Sequence, residues 1–440
     1  QAEITNPAGT EHATAEYSNA YVWGTLTHDW SARLATTAIL SFTDVSAERK
    51  AAVDEPGKRT GAVDDMRDYD VLGLKIDASY ATDRWLQRAG VDARKLEATY
   101  DYTGGVDFAP DYPYPGAGAQ DISRALAPNP SGEHFAAYYT VRGRLTDALT
   151  AEVGLRWDEQ TYGADADDQL GPRFNLAWRV DERTRLLVSW GRYQQFEGIE
   201  ELQVEDGVED FSPAQSADHL ILGLERDLTP EYSVRAEAYR KDYRDLRTRF
   251  ESLYDPLSLA PELRWDRVAI SPSSALAEGG ELLLTRKPVD AWSGWFGYAW
   301  SRVNDAIDGG DVRRSWDQTH TVNLGVLWAS GPWQATLAAQ YHTGWPVTPI
   351  ELDTQGNVVL GDRNAARYAD YGSLDARVSY EWTLPRGTLT LHGELTNALD
   401  RRNPCCTDLE YSEIDGSPTL DRELRHWLPL VPSVGVLWKY

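Results

Sequence analysis

The only two cysteines of this 440-residue chain are adjacent, Cys405 and Cys406, in the stretch RRNPCCTDLEY (401–411). Sulphur placed this way can form a vicinal disulfide, pack as two thiols, or hold a soft metal. Neighbouring Cα atoms lie about 3.8 Å apart across a trans peptide, whereas a relaxed disulfide spans roughly 4.4–6.8 Å. A vicinal bridge is therefore strained and stiffens only its own turn, which Pro404 already restricts. Metal capture lacks further donors, since no His or other Cys lies near in sequence. The histidines (His12, His28, His134, His219, His320, His342, His392, His426) are scattered. There is no His-x-x-x-His pair and no Gly-x-Ser-x-Gly elbow. These residues give no catalytic constellation, resident metal or cofactor. The glycines of GGVDFAPDYPYPGAGAQ (104–120) sit in a loop context and make no phosphate cradle.

Other chemistry is available from aromatic and charged side chains. The chain holds 17 Trp and 23 Tyr against 8 Phe and a single Met. Such rings suit a water–membrane boundary, where each finds both phases within reach. They equally suit a large soluble sugar-binding β protein. The net charge of −26 argues against nucleic acid, which needs a basic footprint. No run of about 18 apolar residues is present, so no transmembrane helix is expected. The chain starts at Gln1 without a signal peptide, which reads as a processed or partial sequence.

Period two dominates the chain. In YGSLDARVSYEW (371–382), Leu374, Ala376, Val378, Tyr380 and Trp382 fall on one face and Asp375, Arg377, Ser379 and Glu381 on the other. Successive strand side chains alternate sides, so this predicts a strand with one apolar and one polar face. Seventeen such runs are expected: 19–29, 32–44, 71–82, 85–103, 134–146, 149–160, 171–181, 184–196, 217–228, 232–249, 278–288, 291–304, 317–329, 333–346, 371–384, 387–400 and 427–440. Eight connections are short and rich in Asp, Gly and Pro; the other eight are long. That alternation predicts an antiparallel transmembrane β-barrel, with short periplasmic turns and long outside loops. Trp30, Trp85, Trp292, Trp333 and Trp382 flank the short turns as an aromatic girdle would. Arg142, Arg144, Glu152, Arg156, Glu225, Arg235 and Glu237 crowd the polar faces, which calls for water or a polar plug. On this reading Leu374, Val378, Leu389, Leu391, Val436 and Trp438 face lipid, while Asp375, Arg377, His392 and Glu394 face the lumen.

Several stretches resemble the TonB-dependent outer-membrane receptors of Gram-negative bacteria. RRSWDQTHTVNLGVLW (313–328) is similar to their late Trp-Asp-x-x-His turn. LGPRFNLAW with RLLVSWGRYQQF (170–196) is similar to a mid-barrel hairpin, and GELTNALDRRN (393–403) with LPLVPSVGVLWKY to the last two strands. The terminal alternation ending in Val436, Trp438 and Tyr440 resembles the signal that barrel-assembly machinery reads. The resemblance covers nearly the whole chain. It implies a 22-stranded barrel, an internal plug, and energy supplied by the TonB complex through that plug. Residues 1–440 contain neither plug nor TonB box, so the expected organisation is one barrel domain, the C-terminal part of such a receptor. With seventeen strands both end strands descend, and the wall between 19–29 and 427–440 is expected to be open. The alternative is one missed strand and a complete, plugless, porin-like channel.

The resemblance implies uptake of a scarce nutrient: siderophore-iron, another metal chelate or a carbohydrate. Ligand contacts are expected from loop aromatics Tyr112, Tyr114, Trp345, Tyr368 and Tyr371, and from polar lumen residues Arg192, Gln195, Arg240 and His342. Partners on this reading are outer-membrane lipid, lipopolysaccharide and an unknown small molecule. The acidic loop EGIEELQVEDGVED (197–210) either draws Ca²⁺ or is a solvated face linked to divalent ions on the lipopolysaccharide surface. Three classes stay open: an active transporter, a passive channel, and a soluble Trp-rich carbohydrate-binding protein.

Overall fold

The computed structural model describes residues 2–6, 9–109, 122–163, 167–414 and 417–440. They form one antiparallel sheet of 20 strands, with small two-stranded sheets in the loops. Three members are short extensions (Ala2–Asn6, Ile122–Leu126 and Gly310–Arg313). The other seventeen make the wall: β1 (Gly9–Asp29), β2 (Leu34–Glu55), β3 (Arg59–Ala81), β4 (Trp85–Phe108), β5 (Ser131–Arg144), β6 (Leu149–Gln160), β7 (Asp167–Arg179), β8 (Thr184–Gln195), β9 (Gln215–Asp227), β10 (Tyr232–Arg244), β11 (Ser274–Arg286), β12 (Trp292–Ile307), β13 (His320–Ser330), β14 (Trp333–His342), β15 (Tyr371–Thr383), β16 (Thr388–Thr396) and β17 (Val431–Lys439).

Each wall strand pairs with its sequence neighbours. Tight turns join alternate pairs at one end. At Gly387, in the β15–β16 turn, φ is 87°, a conformation glycine adopts freely. A Cβ there would run into the Lys439 carbonyl. Among the described residues, β17 pairs only with β16. On the side away from β2, β1 is paired only over its first residues, Gly9 to Ala13, by Ala2–Asn6. No closure between β1 and β17 is present among the described residues.

Cross-strand register confirms the two faces. Trp382, Leu389 and Trp438 align, as do Tyr380, Leu391 and Val436. On the opposite face Arg377 aligns with Glu394 and Ser379 with His392. The inner face carries a hydrogen-bonded ladder across four strands: Arg142 donates to Glu152 (2.7 Å), Asn175 to Glu152 (3.2 Å), and Ser189 to Asn175 (2.6 Å). At the turn end Trp30, Trp85, Trp292, Trp333, Trp382 and Trp438 are all exposed, forming the aromatic rim.

The tips of the first strands differ from the sequence expectation. Residues 45–70, between the predicted runs 32–44 and 71–82, are not a loop. They continue β2 and β3 as a hairpin that turns at Pro56–Lys58. β2, β3 and β4 run 22, 23 and 24 residues, where about 9–11 cross a bilayer. The surplus stands beyond the membrane. There folded loops cover the inward side chains: Val53, Val63, Tyr100, Tyr102 and Val106 bury against Ile199, Leu202, Val204 and Leu263, while Arg49, Asp65 and Arg67 share that face by register and form ion pairs. Period two alone does not separate such a tip from a loop, because its outward residues are polar and its inward face mixes apolar side chains with Arg49, Asp65 and Arg67.

Candidate functional site

The long loops fold into a cap at the loop end of the wall. Tyr100, on the β4 tip, donates its hydroxyl to the Ile199 carbonyl (2.7 Å) and accepts from the Leu202 N–H (3.2 Å). Arg49 bridges Asp65 (3.0 Å) and Glu262; Arg67 bridges Asp65 (3.0 Å) and Glu205 (2.6 Å). These ties fasten the 197–214 and 245–273 connections to the β2–β4 tips. A second apolar cluster, centred on Tyr254, Ile350 and Val358, joins the 250–270, 345–370 and 404–426 segments.

Within this cap lies a cavity of about 220 Å³ lined by Phe250, Ser252, Trp316, Trp345, Tyr368 and Cys405, with Glu251, Arg267, Ser315 and Asn364 around them. Trp316 belongs to the Trp-Asp-x-x-His turn. Asp317, 3 % exposed, accepts from the Val303 N–H (3.1 Å), the Thr319 hydroxyl (2.8 Å) and the Arg367 guanidinium. That clamp holds Trp316 half exposed, with its ring edge-on to Trp345 at 4.6 Å. Trp345 also lies near His342 (5.8 Å, 21° between planes), and His342 stacks on Tyr371 (4.7 Å, 2°). Tyr368 hydrogen-bonds Thr407 through their hydroxyls (2.9 Å), and burial pushes its pKa up to about 12. Gly344 is required beside it, since a Cβ would meet the Tyr368 carbonyl.

The charges around the cavity are all paired. Glu251 accepts from Ser315 (2.6 Å) and Arg363 (2.7 Å). Arg267 grips Asp206 with two nitrogens, one at 3.0 Å. Two polar atoms of lining residues, the Trp345 indole N–H and the Ser252 hydroxyl, are buried out of reach of solvent and have no partner among the described residues.

Cys405 and Cys406 are both buried, their sulphurs 2.6 Å apart, and are free cysteines in this structure. Burial drives the Cys406 thiol pKa well up, reinforced by Cys405 and Asp255, so the thiolate is disfavoured. Their segment is one strand of a hairpin, Pro404–Ile414 with Ser417–His426.

Of the expected ligand residues, Trp345 and Tyr368 line the cavity, and His342 and Tyr371 back it. Tyr112 and Tyr114 lie outside the described residues. Gln195, at the top of β8, does not line the cavity. Arg192 and Arg240 correct the expectation of a lumen position. Arg192 shares a face with Leu186, Val188 and Trp190, and Arg240 aligns with Leu220, so both project outward. There Arg192 pairs with Asp218 (2.8 Å) and Arg240 with Asp242 (2.9 Å), above the apolar band. Charge marked them as inward, but strand phase decides the face. Phe250 and Trp316 went unassigned; Trp316 was visible only as part of its motif. The upper inner wall also holds Tyr193, its ring tilted against His219 (4.6 Å between centroids) and under Arg173 (4.7 Å).

Comparison with known proteins agrees with this architecture. No curated protein matches the sequence. The unliganded ferric citrate transporter FecA superposes with a TM-score of 0.64 at 14 % identity, covering 98 % of this chain and 62 % of that one. The siderophore receptor PiuA from Acinetobacter baumannii gives 0.64 at 12 %, covering 98 % and 65 %. The copper transporter OprC gives 0.58 at 13 %, covering 91 % and 71 %. This chain thus spans under two thirds of the FecA and PiuA structures. The family model described as TonB dependent receptor-like, beta-barrel matches residues 3–398, and the chain therefore belongs to the TonB-dependent receptor β-barrel family.

Proposed function

We propose that this chain forms the wall and ligand-capturing cap of an energised outer-membrane transporter for a scarce small nutrient. The cargo classes are siderophore-iron, another metal chelate or a carbohydrate. The observation that carries the reading is the aromatic cavity roofed by loops from separate hairpins. A passive pore fits less well, because the loops fold onto the inner face of the strand tips and onto one another. Unpaired strand edges in hydrocarbon cost several kcal/mol per backbone group. Further strands between β1 and β17 would satisfy them, and a plug outside these residues would couple the lumen to the TonB complex. In the oxidising exterior, Cys405 and Cys406 would join as a vicinal disulfide, read as a mass loss of two hydrogens.

The test uses the complete product of the encoding gene in its own host. Deleting the gene should slow growth on one limiting nutrient, and restoring it should reverse the defect. A Trp316→Ala/Trp345→Ala variant, present in the outer membrane at the normal level, should not restore growth. Uptake unaffected by an uncoupler, or full rescue by that variant, would overturn the proposal.

A further inference from the structure

The outer face of β8–β12 carries charge at the membrane boundary, on the side of the wall that cargo does not touch. We infer that this face holds a phosphate of a lipopolysaccharide molecule on four arginines, Arg192, Arg240, Arg244 and Arg302, with the acyl chains lying on the apolar rows beneath.

Strand register sets those rows. Val188, Leu222, Ala238, Gly280 and Trp300 align across the five strands, and none is polar. The next outward row is Trp190, Leu220, Arg240, Glu278 and Arg302. Above it Arg192, Asp218 and Asp242 align, and Arg244 stands one row higher beside Ser216. Arg302 lies ten residues up β12 from Trp292 of the aromatic rim. That is about 34 Å along the strand and about 25 Å along the membrane normal at the usual tilt, the height of the apolar band. The change from apolar to charged rows therefore falls where acyl chains give way to headgroups.

The arginines keep donors to offer. Arg192 gives Nε and Nη2 to Asp218 (2.8 and 3.1 Å), and Arg244 donates to the same carboxylate. Arg240 gives Nε and Nη2 to Asp242 (3.0 and 2.9 Å). Arg302 has a neutral partner, the side-chain amide of Asn304 (3.2 Å). A guanidinium carries five N–H groups, so each can still bind a phosphate oxygen, the anion its planar fork matches best. Those donors can be reached, since the Arg192, Arg240 and Arg244 side chains are 41 %, 56 % and 49 % exposed. The carboxylates of this patch are Asp218, Asp242 and Glu278, so the arginines outnumber them in a chain of net charge −26. The surplus is local. At the matching level of β2–β4 the outward face is acidic, where Asp44 aligns with Asp70 and Asp70 with Glu97. A free phosphate would use the arginines alone, whereas the exposed Trp190, Leu222 and Trp300 directly below favour a phosphate that carries acyl chains.

The complete gene product, purified in detergent, is titrated with lipid by native mass spectrometry. The probes are lipid A with both phosphates, the same lipid dephosphorylated, and inorganic phosphate as competitor. Diphosphorylated lipid A should bind, and binding should survive EDTA. The dephosphorylated lipid should bind at least about tenfold more weakly, and millimolar inorganic phosphate should not displace the lipid. Arg302→Gln leaves no carboxylate without its arginine and should lower affinity about 3- to 10-fold. Arg240→Gln/Arg244→Gln/Arg302→Gln should lower it at least about 30-fold, whereas Arg302→Lys should stay within about threefold of the parent. Wild-type heat-modifiable mobility on gels reports a folded barrel, and if the triple variant fails to assemble, the two single variants carry the test. Equal affinity for the dephosphorylated lipid, or unchanged affinity in Arg302→Gln, would overturn the proposal. Loss of binding in EDTA would replace it with a metal bridge through the carboxylates, and displacement by inorganic phosphate would reduce the patch to a general anion site; either result also overturns it.

Discussion

Replacing Val378 by arginine tests the two-faced wall quantitatively. Val378 is exposed on the apolar face of β15, between Ala335 of β14 and Gly393 of β16. It lies four residues above Trp382, which belongs to the aromatic rim. At ~3.4 Å per residue that is about 14 Å along the strand, and about 10 Å along the membrane normal at the usual tilt. The apolar band is roughly 25 Å tall, so Val378 sits near its middle, where arginine costs ~2–4 kcal/mol. Such a cost lowers the folded-to-unfolded ratio by a factor of about 30–700. Leu391, one aligned pair above the rim with Tyr380 and Val436, should cost about 1–2 kcal/mol, because the penalty falls toward the interface. Ser379→Arg places the same charge one residue away, on the inner face beside Gln334 and His392. Its effect should stay within about 0.5 kcal/mol. The assay is the urea midpoint and outer-membrane level of the complete gene product. Equal damage from Val378→Arg and Ser379→Arg, or greater damage from Leu391→Arg than from Val378→Arg, would refute the assignment of faces and depth.

Two further outcomes concern the cap. Tyr100→Phe deletes a hydroxyl that serves both the Ile199 carbonyl and the Leu202 N–H; at ~1–3 kcal/mol for a buried bond lost, amide exchange across 199–204 should speed up about 5- to 100-fold, and unchanged protection would show the tie to be idle. Glu197 is buried, and that burial raises its pKa although the Ser212 N–H (2.9 Å) and Arg247 (3.3 Å) favour its charged form. A raised folded pKa means its contribution to cap stability is full below the unfolded value near 4.5 and is lost as pH rises through the folded value. Protection of 197–214 should therefore fall as pH climbs through that window, and Glu197→Gln should flatten the profile; identical profiles would contradict the assignment.

The wall was legible in the sequence because each strand carries its own record. In YGSLDARVSYEW the alternation names a strand and its lipid side without reference to any partner. The short turns could be read for the same reason, since Asp, Gly and Pro act locally. The cap could not. Nothing in Tyr100 announces that a carbonyl ninety-nine residues later will accept its hydroxyl, and Phe250 reads as an ordinary loop aromatic until folding brings it to line the same cavity as Trp345. Arg192 and Arg240 failed for a different reason. Their phase with Trp190 and Ala238 was present in the sequence, but charge was weighed above phase. Beyond the bilayer an outward charge costs little, so there phase is the better guide.

The cap also imposes an order in time. Wall strands pair with near neighbours in sequence, but the cap's ion pairs close far longer separations: 213 residues for Arg49 with Glu262, 170 for Arg425 with Asp255 and 138 for Arg67 with Glu205. Long closures lose more chain entropy before any contact rewards them, and they form slowly. The ties are mutual, since each loop docks on tips or loops that others also hold, so the cap should lock in one late, cooperative step. Until then the aromatic cavity has no walls. A newly inserted barrel with every strand in register and no capacity to hold ligand is thus a distinct stage of maturation, and ligand would hold the cap closed once it has locked without speeding the locking itself.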